Sequence, residues 1–462
     1  MSQPLAIAIF VYLALILALS LWARARIHDA EDYIVAGRRL PLALTLPTVL
    51  ATWFGAGTLL ATTDEVRVTG LRVTALEPYG AALALVLVGL FYARPLWEAR
   101  LLTVQDYFAR SFGPRVERVA ALYTIGYLGW IATQLVGLAG ILEVFFAIPQ
   151  PVGIVLVAAV ATAYTLMGGM WSVTLTDALQ MGLALVGLVW LGVEVLGALG
   201  GGVAAAERIT RELPAEALVM IPRESAAELL TWIDLLLSGT VALIASQDLL
   251  QRVFAARSAA VARRACVSAG VLYALLGSVA VLIGLSSPLV LGDGVTSSIL
   301  AHVAQRLLSP GPLVLFMLTV LSLVLSTLDS ALLAPATVLA QNLLRPLLGA
   351  RASVLTLTRL SVLGFGVASA ALALAGERAF TLLSSSYALG VAPFLLLSFA
   401  MWRAPRREAS GLALLLLGLT TWLIEQLVGW PGPIPSTVVV LLVGPPLYLA
   451  LERRAPARDV AA

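Results

Sequence analysis

The chain has 462 residues and a net charge of +3, with 60% hydrophobic and only 12% charged residues. Soluble domains keep roughly a quarter of their residues charged, so this composition and a mean hydropathy of +0.97 exclude an ordinary soluble fold. One cysteine, two histidines and no lysine exclude an intrachain disulfide, a zinc-ligand set and a lysine-containing phosphate loop. We therefore expect a membrane protein driven by an ion gradient or by binding, neither an enzyme nor a nucleic-acid binder.

Apolar runs of about 20 residues, long enough to cross ~30 Å of hydrocarbon, recur along the whole chain. They predict an all-α integral membrane protein of the cell (inner) membrane with about thirteen spans. The spans lie near 4–23, 41–63, 78–97, 117–147, 151–168, 173–200, 228–250, 260–286, 312–344, 355–375, 379–401, 409–428 and 434–451. Most of the 29 arginines follow odd-numbered spans, so the positive-inside rule predicts an outer amino terminus and a cytoplasmic carboxyl terminus.

The second span carries Gly55, Ala56 and Gly57 where a spanning helix should be continuous. Small residues with weak helix preference permit local unwinding, which frees backbone carbonyls to bind a hard cation. The same residues are typical of close helix–helix packing. Spacing alone leaves both interpretations open.

The ninth span carries a polar stripe, because steps of four place Ser322, Ser326 and Ser330 on one helix face with Thr327 beside it. Hydroxyl and carbonyl oxygens without fixed charge suit a monovalent ion, although serine also bonds back to its own helix. Asp329 is a carboxylate near mid-span and needs a reason to be there. It is a candidate neutral acid, ion partner or structural anchor.

Three further residues stand out for their position. Asp177 opens the sixth span, where an acid favours the helix dipole and where a role on a cation exit path is the alternative. Trp53 and Trp130 lie inside spans rather than in the interfacial belts where tryptophan collects. They are candidates for core packing or for stacking on a cation.

Ordered motifs over the full length resemble the sodium:solute symporter family. The matching segments are DYIVAGRRLP at 32–41, ATWFGAGT at 51–58, YTLMGGMW at 164–171, TDALQ at 176–180, SQDLLQRV at 246–253 and STLDS at 326–330. The resemblance implies a LeuT-like fold with an inverted five-plus-five repeat in one polytopic domain, 1–462. Its parts would be a first helix and inner loop (1–40), a first repeat (41–203), an inverted second repeat (228–401) and two final helices with a tail (402–462).

The resemblance also implies a sodium ion, Na⁺, bound between the second and ninth spans. Its ligands would be three backbone carbonyls and two hydroxyls, from Ala51, Phe54, Leu323, Ser326 and Thr327. Asp177 falls on the acid that the family places along the inner sodium path, and Asp329 is the second ion-path candidate.

Within the family, ATWFG at 51–55 and GLFYARP at 89–95 are similar to the high-affinity choline transporters. Those proteins hold a quaternary ammonium in an aromatic cage. Trp53 and Trp130 fall on two cage positions, while Ala81 and Ser246 stand at the other two. Losing two rings removes about 1–2 kcal/mol of cation–π attraction each in a dry site, so a cation, a zwitterion, a carboxylate and another small polar solute all stay open.

The expected function is therefore a sodium-coupled symporter that imports a small organic solute by alternating access. Main-chain groups of Gly55, Ala56 and Gly57 and side chains of four other residues are the candidate solute contacts: Trp53, Trp130, Gln134 and Asp234. The alternatives are proton coupling through Asp177 or Asp329, and a transporter-like sensor that acts with a separate partner. The chain ends soon after its last predicted span, which we take as an argument against a fused signalling domain.

Overall fold

The computed structural model describes residues 3–24, 29–349, 353–403 and 407–453. This part of the chain is helical. Its α-helices are α1 (Gln3–Arg24), α2 (Ala30–Val35), α3 (Leu42–Trp53), α4 (Thr62–Thr69), α5 (Tyr79–Leu87), α6 (Ala93–Glu98), α7 (Val104–Phe112), α8 (Pro114–Leu122), α9 (Tyr127–Phe146), α10 (Gln150–Ala198), α11 (Gly202–Glu212), α12 (Ala226–Thr240), α13 (Gln247–Ala255), α14 (Ala259–Leu291), α15 (Ile299–Leu307), α16 (Pro310–Val338), α17 (Arg345–Leu348), α18 (Val354–Leu374), α19 (Ala379–Ala388), α20 (Val391–Trp402), α21 (Glu408–Val428) and α22 (Ser436–Arg453).

Within these ranges, ten helices are long and apolar enough to cross a membrane, and three further apolar helices are shorter. The protein is thus a multi-pass membrane protein, as predicted, but the number of thirteen spans is not confirmed. The discrepancy has a structural reason, because several spans are interrupted. The second span is broken into α3 and a following segment. That segment continues into the third span, and together they form the helical run Gly57–Glu98.

The second span breaks beside the small residues, in agreement with the unwinding interpretation. Helix α3 ends at Trp53, and Phe54 has a non-helical backbone (φ −77°, ψ 69°). A π-helical turn, Gly57–Ala61, then leads into α4. A Cβ atom on Gly55 would overlap the side chains of Thr327 and Gln134, so only glycine lets the turn lie this close to its neighbours.

The seventh predicted span is broken as well. Helix α12 ends at Thr240, a short 3₁₀ turn spans Val241–Leu243, and α13 begins at Gln247. The interruption begins directly after Ser238, Gly239 and Thr240, the last three residues of α12. Both broken helices therefore leave main-chain groups without helical partners in the interior, a feature of transporter folds that bind ligand near the midplane.

The fifth and sixth predicted spans form α10 with a sharp turn inside it. Gly169 has φ 56° and ψ −172°, a conformation that residues with a Cβ rarely adopt. A Cβ there would also overlap the ring of Tyr33 in α2. The two arms of α10 contact α16, α1, α9 and α3.

The broken helix α3 lies at the centre of the bundle and packs against α10, α13, α14 and α16. At its beginning, the backbone joins the end of the second broken helix. The Leu40 amide donates to the Ala255 carbonyl (3.1 Å), and the Arg257 amide donates to the Leu40 carbonyl (2.9 Å). The chain entering one broken helix is therefore tied to the chain leaving the other.

Candidate functional site

The predicted sodium ligands meet at the break in α3. The Thr327 hydroxyl lies 3.0 Å from the Ala51 carbonyl oxygen and 3.1 Å from the Leu323 carbonyl oxygen. The Ser326 hydroxyl lies 3.4 Å and 3.2 Å from the same two carbonyls. Four oxygens without fixed charge thus converge between α3 and α16, which is a donor set suited to a monovalent cation. Phe54, the fifth predicted ligand, occupies the adjacent unwound turn.

The glycine-rich turn is packed rather than open. The Ala56 amide donates to the Gln134 side-chain oxygen at 2.6 Å, so Gln134 caps the start of the segment that follows the break. A Cβ on Gly57 would touch Leu383, and the Ala56 side chain faces Gly137. The described lining of the main cavity includes none of Gly55, Ala56, Gly57 and Gln134. Their prediction as direct solute contacts is not supported, and the packing interpretation fits these positions.

A cavity of about 740 Å³, including its open mouth, lies beside the two breaks. Trp53 and Trp130, the two residues at cage positions, both line it, and Tyr127 and Tyr387 add two further rings. Trp130 packs edge-on against Tyr127 with ring centroids 5.7 Å apart. Of the two positions where cage rings are missing, Ser246 lines the cavity, while Ala81 is buried in α5.

One carboxylate, Asp248, lies at the wall of this cavity. It is the second residue of α13, directly after the break, and its side chain is almost completely buried. The indole nitrogen of Trp53 donates to Asp248 Oδ2 at 2.5 Å, and the Tyr127 hydroxyl donates to Oδ1. The cavity therefore combines aromatic faces with one buried negative group, a combination that attracts organic cations.

The two ion-path candidates lie near one buried guanidinium. Asp177 Oδ2 accepts a hydrogen bond from the Thr48 hydroxyl at 2.5 Å, which joins α10 to α3, and its Oδ1 has no recorded partner. Asp329 Oδ1 accepts from the Thr165 hydroxyl at 2.9 Å, which joins α16 to α10.

Arg252 is the guanidinium in question, and its charge acts on Asp177, Asp248 and Asp329 together. It donates to the Asp248 carbonyl at 3.0 Å and to the Ser330 hydroxyl. One cation thus partly compensates three carboxylates, and it links α13 to α16.

Asp234 is not in the cavity. Its carboxylate accepts a hydrogen bond from Thr437 at the start of α22, and it is absent from the described lining residues. The structure thus places Asp234 outside the described lining of this cavity, and its role as a solute contact stays a prediction. Asp234 lies nearly two turns before the end of α12 at Thr240, and its side chain contacts α22 instead of the cavity.

Three residues at the centre were missed by the sequence analysis, namely Asp248, Arg252 and Glu77. Asp248 and Arg252 lie within the quoted segment 246–253, and Asp248 is a carboxylate inside a predicted span, the same signal that singled out Asp329. Glu77 precedes the third span, at a position that resembled an interfacial loop. The structure buries it completely.

Comparison of the sequence with known proteins finds one family model and several related transporters. The family model described as the sodium:solute symporter family matches residues 33–401. The high affinity choline transporter 1 of Homo sapiens is 28% identical over 463 residues, covering 93% of this chain and 79% of its own length. The sodium/glucose cotransporter of Vibrio parahaemolyticus is 24% identical over 298 residues, covering 61% and 55%.

Solved structures show the same fold. A Na⁺-coupled sialic acid symporter in a substrate-bound outward-open state superimposes with a TM-score of 0.82 at 19% identity, covering 99% of both chains. Mhp1, a nucleobase-cation-symport-1 family transporter in a closed conformation, gives 0.64 at 16% identity, covering 94% of this chain and 98% of its own. MhsT in complex with L-phenylalanine gives 0.56 at 16% identity, covering 88% and 98%. The fold is thus LeuT-like, and these relatives are transporters rather than enzymes.

Proposed function

Because the chain belongs to the sodium:solute symporter family, we propose that it is a sodium-coupled symporter that imports a small organic solute carrying a cationic group. The observation that carries the choice of solute is Asp248, a buried carboxylate at the wall of a cavity lined by Trp53, Trp130, Tyr127 and Tyr387. Arg252 is shared by Asp248 and two further carboxylates, so a neutral solute would leave this negative group only partly compensated inside the membrane, where buried charge is costly. A solute with an ammonium group would place positive charge between the carboxylate and the ring faces.

Sodium coupling is supported by the donor set at the break in α3. The Ser326 and Thr327 hydroxyls each lie 3.0–3.4 Å from both the Ala51 and the Leu323 carbonyl oxygens. Sodium bound there would hold α3 against α16, and α3 also contributes Trp53 to the cavity. The ion and the solute would then favour the same arrangement of one broken helix.

That shared preference is sufficient for symport. Each ligand shifts a conformational equilibrium only by its differential affinity for the two states, and the coupling between two ligands is reciprocal. In the proposed cycle sodium enters from the outside and stabilises the state that accepts solute. Rearrangement of the two repeats, 41–203 and 228–401, then opens the other side. The arginine distribution supports an outer amino terminus and a cytoplasmic carboxyl terminus, although the chain after Arg453 lies outside the described residues.

The test is thermal stability of the purified protein with matched solute pairs, in sodium and in potassium at equal ionic strength. Choline and its neutral carbon isostere 3,3-dimethylbutanol form one pair, and short primary amines with their alcohols form others. A ligand present at a hundredfold excess over its dissociation constant stabilises the native state by about 2.7 kcal/mol. We expect stabilisation by a cationic member only, and only with sodium.

Other outcomes are equally informative. Stabilisation by neutral and cationic members alike would contradict the role of Asp248. Stabilisation that is indifferent to sodium would contradict sodium coupling and would favour proton coupling or a sensor.

A further inference from the structure

The described lining of the solute cavity extends from the two breaks toward one side of the protein. It includes Val104, Gln105 and Phe108 of α7 and no residue of α4. The start of α3 lies on the α7 side as well, because the Arg38 side chain donates to the Leu101 carbonyl at 2.7 Å. The helix that follows the break, α4, therefore lies toward the opposite side, which is the outer one by the arginine distribution.

On the outer side of the cavity, α19 packs against the segment that follows the break in α3. Both elements reach the cavity, because Tyr387 of α19 and Trp53 at the end of α3 line it. Further out, Leu383 is fully buried and lies against Gly57, where an added Cβ would approach its side chain to 3.1 Å. Phe380 lies on the same face of α19, since it is three residues from Leu383 and Leu383 is four from Tyr387.

A second apolar layer lies outside the contact between Leu383 and the break. Phe380 packs against a small buried cluster formed by Val66, Val73 and Val281. Val66 belongs to α4 and Val281 to α14, so this layer joins α19 to two further helices. The two apolar layers lie between the cavity and the outer surface along this path.

An ion pair lies at the outer end of the same contact. The Arg378 guanidinium donates to Glu65 Oε2. Arg378 directly precedes α19, and Glu65 belongs to α4. The Glu65 side chain is 9% exposed, whereas that of Arg378 is 63% exposed. Removing one partner of a buried charge destabilises the buried arrangement strongly, whereas removing both partners costs much less.

We propose that α19 and the segment after the break form the outer gate of the transport pathway, with the Glu65–Arg378 ion pair as its latch. The inference rests on the proposed function only in taking the cavity to be part of a transport pathway. The gate is closed in this structure while the cavity extends to the α7 side, an arrangement suited to releasing solute inward. Outward opening separates α19 from Gly57 and breaks the ion pair, so the latch sets how often the outer side opens.

The experiment measures how fast a cysteine behind the gate reacts with an anionic thiol reagent, sulfonatoethyl methanethiosulfonate, in the purified full-length protein. An anionic reagent is chosen because the cavity is proposed to bind cations. The background is Cys266→Ala, which removes the one native cysteine. The outer reporter is Leu383→Cys, at a position that is buried while the gate is closed. The inner reporter is Gln105→Cys, at the α7 end of the cavity.

Arg378→Gln should raise the reaction rate of the Leu383→Cys reporter by about tenfold, because it leaves the Glu65 carboxylate buried without its partner. Glu65→Gln removes the buried charge itself and should raise the rate less, by about two- to fivefold. The double variant Glu65→Gln/Arg378→Gln should match Glu65→Gln alone, because the effects of two contacting residues are coupled. Arg208→Gln is the matched control, since it breaks an ion pair with Glu212 within α11, and it should leave the rate unchanged.

Unchanged reaction rates in both Arg378→Gln and Glu65→Gln would overturn the latch. Because Arg378 is largely exposed, Arg378→Gln covers the case in which Glu65→Gln fails to fold. Equal increases at the Leu383→Cys and Gln105→Cys reporters would show a general loss of packing and would also overturn the latch, as would effects that multiply in the double variant. These rates are measured without sodium or solute, so a failed latch leaves symport standing, and a failure of solute stabilisation in sodium leaves the latch standing.

Discussion

Replacing Thr327 by valine tests the assigned sodium site with a minimal change. Valine has nearly the shape of threonine but lacks the hydroxyl that lies 3.0 Å from the Ala51 carbonyl and 3.1 Å from the Leu323 carbonyl. A polar contact to a charged group contributes about 1.5–3 kcal/mol, and about 1.4 kcal/mol corresponds to a tenfold change in affinity. We therefore expect the sodium concentration for half-maximal uptake to rise by about tenfold to a hundredfold.

Thr337→Val is the matched control on the same helix. Thr337 is also fully buried, but its hydroxyl bonds the Leu333 carbonyl of its own helix at 2.8 Å, ten residues from Thr327. The assay is solute uptake into proteoliposomes as sodium is varied against potassium at constant ionic strength. Maximal uptake at saturating sodium should change less than the half-maximal concentration in Thr327→Val. Equal shifts of the half-maximal sodium concentration in both variants, or no shift in Thr327→Val, would refute the sodium site at Thr327.

Three further predictions concern the cavity and the turn beside it. Asp248→Asn should lower the affinity for a cationic solute, measured by thermal stabilisation, by about tenfold or more, and should leave the affinity for its neutral isostere nearly unchanged. Equal losses of affinity for both solutes would indicate a structural role. Gly55→Ala should lower the melting temperature and raise the half-maximal sodium concentration, because its Cβ would overlap Thr327 and Gln134. In Gly57→Ala the Cβ meets only the flexible Leu383 side chain, so both effects should be smaller. Asp234→Asn should leave solute affinity in the thermal assay unchanged, and a large loss would return this residue to the site.

The sequence predicted the features that depend on local chemistry. The small residues Gly55, Ala56 and Gly57 left a break and close packing both open. The structure has both, since α3 ends at Trp53 and a Cβ on Gly55 would overlap Thr327. The spacing of Ser326 and Thr327 predicted one polar helix face, and both hydroxyls lie on the side of α16 that meets Ala51. The role of sodium at these residues stays a prediction.

Features that depend on contacts distant in sequence were harder to predict. Asp248 acts at the cavity because a break places it against Trp53 and Tyr127, which are 195 and 121 residues away in the chain. Glu77 gains its three hydroxyl partners from three different segments. For Asp234, a position in the correct span suggested the site, but the side chain packs against α22.

The backbone pairing of Leu40 with residues 255–257 bears on how strongly the two broken helices are joined. Two main-chain hydrogen bonds join them at this end, in addition to the side-chain bond from Trp53 to Asp248. At a net contribution of about 1 kcal/mol each, the two main-chain bonds favour the joined state by roughly thirtyfold. A preference of that size is within the reach of one bound ion's differential affinity. Since only backbone atoms take part, the tie is independent of side-chain identity. The solute cavity can therefore change its specificity by substitution while this element of the transport cycle keeps its strength.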